Sequence, residues 1–250
     1  MTQRFCVKEE RVAAKGWRDV PEDGRDRILL GDTNQTAPKR GRRTQIERRG
    51  EADQRMIDAA ISLIAEKGVR GLVLGEVGAR AGYSATLPVH YYKTKEALIL
   101  LTAQRIMSDY NDVLRREIGG ADGLAALRTF VRTYLHYAAD YPLKRRALFM
   151  ITSEAAVDAA LRQGIADLSR NGPAGVARRI RAGQVSGEIE PMIDPDAIGT
   201  LIFAWLRGVI SLWAVDPTLD LARLAVGIEG SVVRILVNRD PPRKERPPKT

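Results

Sequence analysis

The sequence predicts an all-α protein. Two observations carry that reading: from about residue 51 to residue 237 apolar residues recur at spacings of three and four, and no alternating apolar and polar run of useful length appears. A third makes it feasible, because hydrophobic residues form 44% of the 250 and suffice for a substantial core.

Residues 1–50 mix Gly, Asp, Arg and Thr without sustained apolar periodicity and are expected to be a disordered basic extension. The first helix is expected from about Glu51, with Ile57, Ala60, Ile61 and Ile64 on one stripe and Gly68 as its C-terminal cap. A second short helix runs from Leu74 to Ala81. Its Gly75 and Gly78 each weaken helix propensity by roughly 1 kcal/mol, so tertiary packing must hold it. Gly82 supplies the positive φ of a tight turn, and Ser84 is the expected N-cap of a third helix, Ala85–Tyr92.

Lys95 opens a longer helix carrying Leu98, Leu101, Ile106 and Met107 as far as Gly119 and Gly120. The next presents Leu124, Leu127, Phe130, Val131, Tyr134, Leu135 and Ala138 on a broad face and stops before Pro142. Helical stretches follow at about 143–156, 157–169 and 173–183. The last two segments, 195–215 and 218–237, are the most apolar. The chain is thus expected to divide into a helix-turn-helix domain at 51–96, a larger helical body at 97–238 and a disordered Pro-rich tail at 239–250.

Net charge is +9, which favours nucleic acid or an anionic surface because Lys and Arg displace condensed counterions. Its placement says more. Lys39, Arg40, Arg42, Arg43, Arg48 and Arg49 stand just ahead of the first clear helix. Only Cys6 is present, so an intrachain disulfide and a cysteine zinc cluster are excluded. No uninterrupted apolar run of membrane length and no secretory leader pattern is evident, so a cytoplasmic protein with no membrane partner is expected. The histidines are His90 and His136, and no His-Glu-x-x-His, glycine-rich phosphate loop or Gly-x-Ser-x-Gly occurs. Asp194 and Asp196 flank Pro195, where capping explains them. No catalytic constellation, metal site or cofactor is therefore expected.

Gly78 and Gly82 together suit two helices that cross steeply, one small residue at the closest approach and one at the turn. Around them stand Ile57 to Ala60, Gly68, Val77, the Ala81-Gly82-Tyr83-Ser84 turn, His90-Tyr91-Tyr92 and Lys95-Glu96-Ala97-Leu98. In order and spacing this stretch resembles the N-terminal domain of the TetR family of transcriptional regulators. The resemblance implies an all-helical homodimer with a three-helix DNA-binding head and a larger ligand-sensing, dimerising body.

Carried over by position, the family's recognition helix falls on Ala85, Thr86, Leu87, Pro88, Val89, His90 and Tyr91. Thr86 can meet a base edge or phosphate, Leu87 and Val89 a thymine methyl, and His90 and Tyr91 phosphate oxygens. Lys95 would favour a phosphate together with its helix N-terminus. The chain departs from the family pattern at Val73, where a capping Thr or Ser is common, at Gly75, and at Pro88-Val89. The Pro88 ring disfavours helical geometry at Leu87 and delays the helix. With no Arg, Lys, Asn or Gln in this segment, bidentate base readout is unavailable, so affinity would rest on phosphates, DNA shape and an arm that includes Arg42 and Arg43.

In the body, Ile202, Trp205, Val209 and Trp213, with Ile228, Val232 and Ile235, are expected at the interface of a homodimer, whose twofold axis would match a palindromic operator in double-stranded DNA. Phe130, Tyr134, Tyr137, Phe149 and Met150, interleaved with Thr133, His136, Thr152 and Glu154, are expected to wall a cavity for a small lipophilic effector, although each alone also suits a plain core. The functional expectation is a homodimeric repressor released by that effector. A nonspecific nucleic-acid-binding helical protein is the alternative.

Overall fold

A computed structural model describes residues 44–237. Its helices are α1 (Gln45–Lys67), α2 (Leu74–Arg80), α3 (Leu87–Tyr92), α4 (Lys95–Ile118), α5 (Gly123–Asp140), α6 (Pro142–Glu154), α7 (Ala159–Val185), α8 (Pro195–Val215) and α9 (Leu221–Val237). The described residues contain no strand. The all-α expectation therefore holds.

α1 starts six residues before the apolar stripe announces it. Its N-terminus is set by a capping box: Glu47 N–H donates to Thr44 Oγ1 at 3.2 Å, and Thr44 N–H donates to Glu47 Oε2 at 2.8 Å. The first turn is exposed throughout, so hydrophobic periodicity could not reveal it. Arg48 and Arg49, expected in a disordered extension, are helical. Arg42 and Arg43 lie outside the described residues.

The expected break near residue 170 is absent, because α7 runs unbroken through Pro173. Proline has no N–H to give the Ser169 carbonyl, a loss that ordinarily kinks or ends a helix. Here the buried stripe Leu161, Ile165, Val176 and Ile180 keeps its register across the proline. Packing against α8 holds the segment: a β-carbon on Gly172 would collide with the Phe203 ring, and one on Gly199 would sit 3.0 Å from the Pro173 carbonyl oxygen.

Two apolar cores result. One joins α1–α3 to the first half of α4, to Ala147 and Ile151 of α6 and to Leu161 and Ile165 of α7. The other fills the space among α5, α7, α8 and α9. The three-helix head is thus closed by body helices, and its core continues past residue 96.

Candidate nucleic-acid interface and effector cavity

The helix-turn-helix is built on one close approach. A β-carbon on Gly78 would collide with the Ser84 carbonyl oxygen and fall 3.0 Å from Pro88 Cδ. Gly82 takes φ +79° in the turn. Ser84 is not the N-cap of α3: its carbonyl accepts from Leu87 N–H at 3.1 Å in a preceding turn, and the helix begins two residues later than Ala85. Pro88 is buried and lies in the first turn, where its missing N–H costs nothing. It forms part of the packing against α2.

Ala85, Thr86, Val89 and His90 are exposed on α3 and the turn before it, while Leu87 and Tyr91 are half-buried. Tyr92 faces inward and donates to Asp53 Oδ1 at 2.7 Å, fixing α3 to α1. Burial, and then the Asp53 carboxylate, hold the Tyr92 phenol far above its ordinary pKa, so it remains a donor. Arg49 stands 5.4 Å over the Tyr91 ring, and Gln45, Arg48, Arg49 and His90 share a cleft between α1 and α3. Sequence reasoning missed this cleft because it placed the two arginines in a flexible arm.

Lys95 is placed differently from expectation. Its ammonium donates to the Arg70 carbonyl at 2.9 Å, in the loop between α1 and α2. Thr94 caps α4 by accepting from Ala97 N–H at 3.1 Å. Lys93 has φ +67° and ψ −50°, and Thr94 N–H donates back to the Tyr92 carbonyl at 2.8 Å, a tight γ-turn between α3 and α4.

The body holds a partly open cavity of about 780 Å³ among α4, α5, α6, α7 and α8. Phe130 and Tyr134 line it. Phe149 lines only a small side recess, Tyr137 packs behind Tyr110 at 5.4 Å between ring centres, and Met150 packs into the core shared with the head. The reason is helical phase: Arg145, Leu148 and Thr152 face the cavity at spacings of three and four, turning Met150 away. Thr133 is buried, His136 is exposed, and Glu154 pairs with Arg70 at 2.8 Å.

Arg145, Arg179 and Arg207 were not anticipated as cavity residues. Arg145 and Arg179 sit in charged stretches that read as solvated surface, whereas Arg207 is the lone basic residue of the apolar α8; the helical spacing of Arg145 to Leu148 and Thr152 was the available clue.

Of the expected interface residues, Ile202 and Val232 are core, at 2% and 1% exposure. Each faces inward between α5, α8 and α9, so neither is available to a partner. Trp205 and Ile235 are exposed, and Val209, Trp213 and Ile228 half-buried. Leu201, Leu212 and Val226 extend the exposed apolar face of α8 and α9. By length and hydropathy alone α8 could also cross a membrane.

A short helix offered over a glycine-pinned turn, carried on a larger helical body, defines a helix-turn-helix DNA-binding regulator. Residues 56–101 match the family described as bacterial regulatory proteins, tetR family. The chain is 30% identical over 203 residues to the HTH-type transcriptional regulator CymR of Pseudomonas putida, covering 75% of this chain and 96% of CymR. Its fold resembles a TetR-family regulator from Rhodococcus sp., with a TM-score of 0.68 at 20% identity, covering 75% and 99% of the two chains. It also resembles the regulator FadR of Bacillus subtilis in complex with stearoyl-CoA, with a TM-score of 0.66 at 20% identity, covering 72% and 97%. The chain belongs to the TetR family of transcriptional regulators.

Proposed function

We propose that the chain represses transcription as a homodimer on a palindromic operator and leaves it when a small molecule fills the body cavity. The observation that carries the effector step is the convergence of two cavity-lining helices on one head loop. α4 opens with Lys95, whose ammonium holds the Arg70 carbonyl, and α6 ends with Glu154, whose carboxylate holds the Arg70 guanidinium at 2.8 Å. A ligand that alters the spacing of α4 and α6 therefore acts on the loop between α1 and α2. To shift the head it must bind one arrangement better than the other. The ligand in the FadR structure supports a body able to hold an effector.

Dimerisation rests on the exposed apolar face of α8 and α9, and two recognition helices related by a twofold axis would read half-sites about 34 Å apart or a multiple of that. With α3 lacking bidentate base readers, phosphate contacts from Arg49, Lys93 and the basic segment before Thr44 would carry much of the affinity. Selecting bound sequences from a random duplex pool tests the reading. An inverted repeat at that spacing is expected, and deletion of residues 1–43, which spares the Thr44 cap, should reduce the salt slope of binding to it. Recovery of unrelated sequences without a repeat would leave the nonspecific alternative standing.

A further inference from the structure

Five arginines line the body cavity: Arg115, Arg145, Arg178, Arg179 and Arg207. Its one lining carboxylate, Asp112, is paired with Arg115. The other four guanidinium groups have no carboxylate within ion-pair distance among the described residues. Arg207 is satisfied in part by Thr152 Oγ1 at 3.0 Å, and Arg179 by the Gly175 carbonyl at 2.6 Å. Burial lowers the Arg179 pKa, so holding that charge carries a cost.

Arg145 is the telling member. It is 4% exposed, and its Nε and Nη2 atoms have no hydrogen-bond partner. Its cationic face is used, because Tyr134 lies 3.8 Å from the guanidinium carbon. Stacking engages only the face of the plane. The Nε and Nη2 hydrogens point along one edge, side by side, which is the edge that receives both oxygens of a carboxylate. Tyr110 of α4, whose ring centre lies 6.0 Å from the Arg145 guanidinium carbon, lines the same cavity and also has a buried hydroxyl without a partner. Unmet buried donors are expensive and rare in finished structures, so a cluster of them at a cavity marks a place completed by something else.

The geometry points to an organic anion as the effector, a carboxylate on an apolar body, with the carboxylate held by the side edge of Arg145 and by Tyr110 and the apolar part against Phe130, Leu148 and Phe203. This rests on the effector reading above and gives that effector its charge. Both Arg145 nitrogens are shielded from solvent, so binding turns the Arg145 head group or the Tyr110 ring toward the cavity. That movement starts on α4 and α6, the two helices that grip Arg70.

The test uses the full-length protein and matched pairs of probes: octanoate with octanamide, 4-phenylbutyrate with 4-phenylbutyramide, and naphthalene-2-carboxylate with its amide. Melting temperature and calorimetric affinity are measured for the wild type, Arg145→Lys and Arg145→Met. At least one carboxylate should raise the wild-type melting temperature and bind at least tenfold more tightly than its amide. Arg145→Met should lose that preference, and Arg145→Lys, which keeps the charge but not the fork, should retain only part of it. Equal binding of acid and amide, no binding by any carboxylate, or a preference retained in Arg145→Met overturns the assignment. The amide comparison in the wild type tests the anion preference even where Arg145→Met does not fold, and the partial loss in Arg145→Lys then tests the assignment to Arg145. Operator binding separates this from the broader reading: a carboxylate that binds through Arg145 without changing operator affinity sinks the effector role but not the anion site, whereas release by neutral probes alone does the reverse.

Discussion

Two glycines three residues apart in α2 show how differently the same residue type can be constrained. On propensity alone Gly75 and Gly78 are equivalent weaknesses, but a β-carbon on Gly75 would sit in ordinary contact, 3.5 Å from Ala85 Cβ. At Gly78 it would strike the Ser84 backbone, which cannot yield without moving α3. Gly75→Ala should therefore stabilise the protein, by up to about 1 kcal/mol in urea denaturation. Gly78→Ala should cost about 1–3 kcal/mol and abolish operator binding, because overpacking here displaces the recognition helix. Equal behaviour of the two variants would refute the close approach as the element that seats α3. The residue scale also holds the chain's one positive φ outside glycine among the described residues, at Lys93, where a γ-turn joins α3 to α4. No periodicity argument could have found it.

Among the elements, the legible ones were those in which a single apolar stripe meets a single core. The stripe of α5, and Gly68 and Gly119 as helix ends, stand close to where the sequence places them, whereas α4 serves both cores in turn and leaves the expected Leu101 exposed. What stayed hidden had a physical cause in each case. The first turn of α1 is held by a polar capping box, α7 survives Pro173 because α8 packs across it, and α6 divides its side chains among the cavity, a side recess and the head, which leaves no clean stripe. In α8 and α9 the sequence shows an excess of apolar residues without telling which face the monomer keeps. The structure separates them: Ile202, Leu206 and Val232 turn inward, while Trp205, Leu212 and Val226 remain exposed. If the proposed dimer forms on this face, Trp205→Glu should shift the protein from dimer to monomer in sedimentation equilibrium and weaken operator binding by about 2 kcal/mol or more, the size of a central aromatic anchor. Val185, 91% exposed at the end of α7, is the matched control, and Val185→Glu should leave the dimer intact. A Trp205→Glu protein that sediments as a dimer would place the interface elsewhere.

At the scale of the whole molecule, the proposed effector response requires a path from the body cavity to the recognition helix. The core that surrounds α1–α3 includes parts of α4, α6 and α7, so the head is not hung on a flexible linker. Arg70 is held at both ends, its carbonyl by α4 and its guanidinium by α6. The Arg70 to Glu154 pair is largely solvent-exposed on the arginine side, at 80%, so its contribution to stability should be small. Its contribution to coupling need not be small, because coupling depends on whether the pair differs between the bound and free arrangements. Glu154→Gln keeps the shape and removes the charge. It should leave the denaturation midpoint nearly unchanged while reducing the factor by which effector weakens operator binding. Linkage makes the prediction sharper: the factor by which operator DNA weakens effector binding must fall by the same amount. Measuring both legs in wild type and Glu154→Gln distinguishes a transmission role from a local effect on either site. A variant with an unaltered coupling factor would show that the signal travels through α4 and the shared core alone.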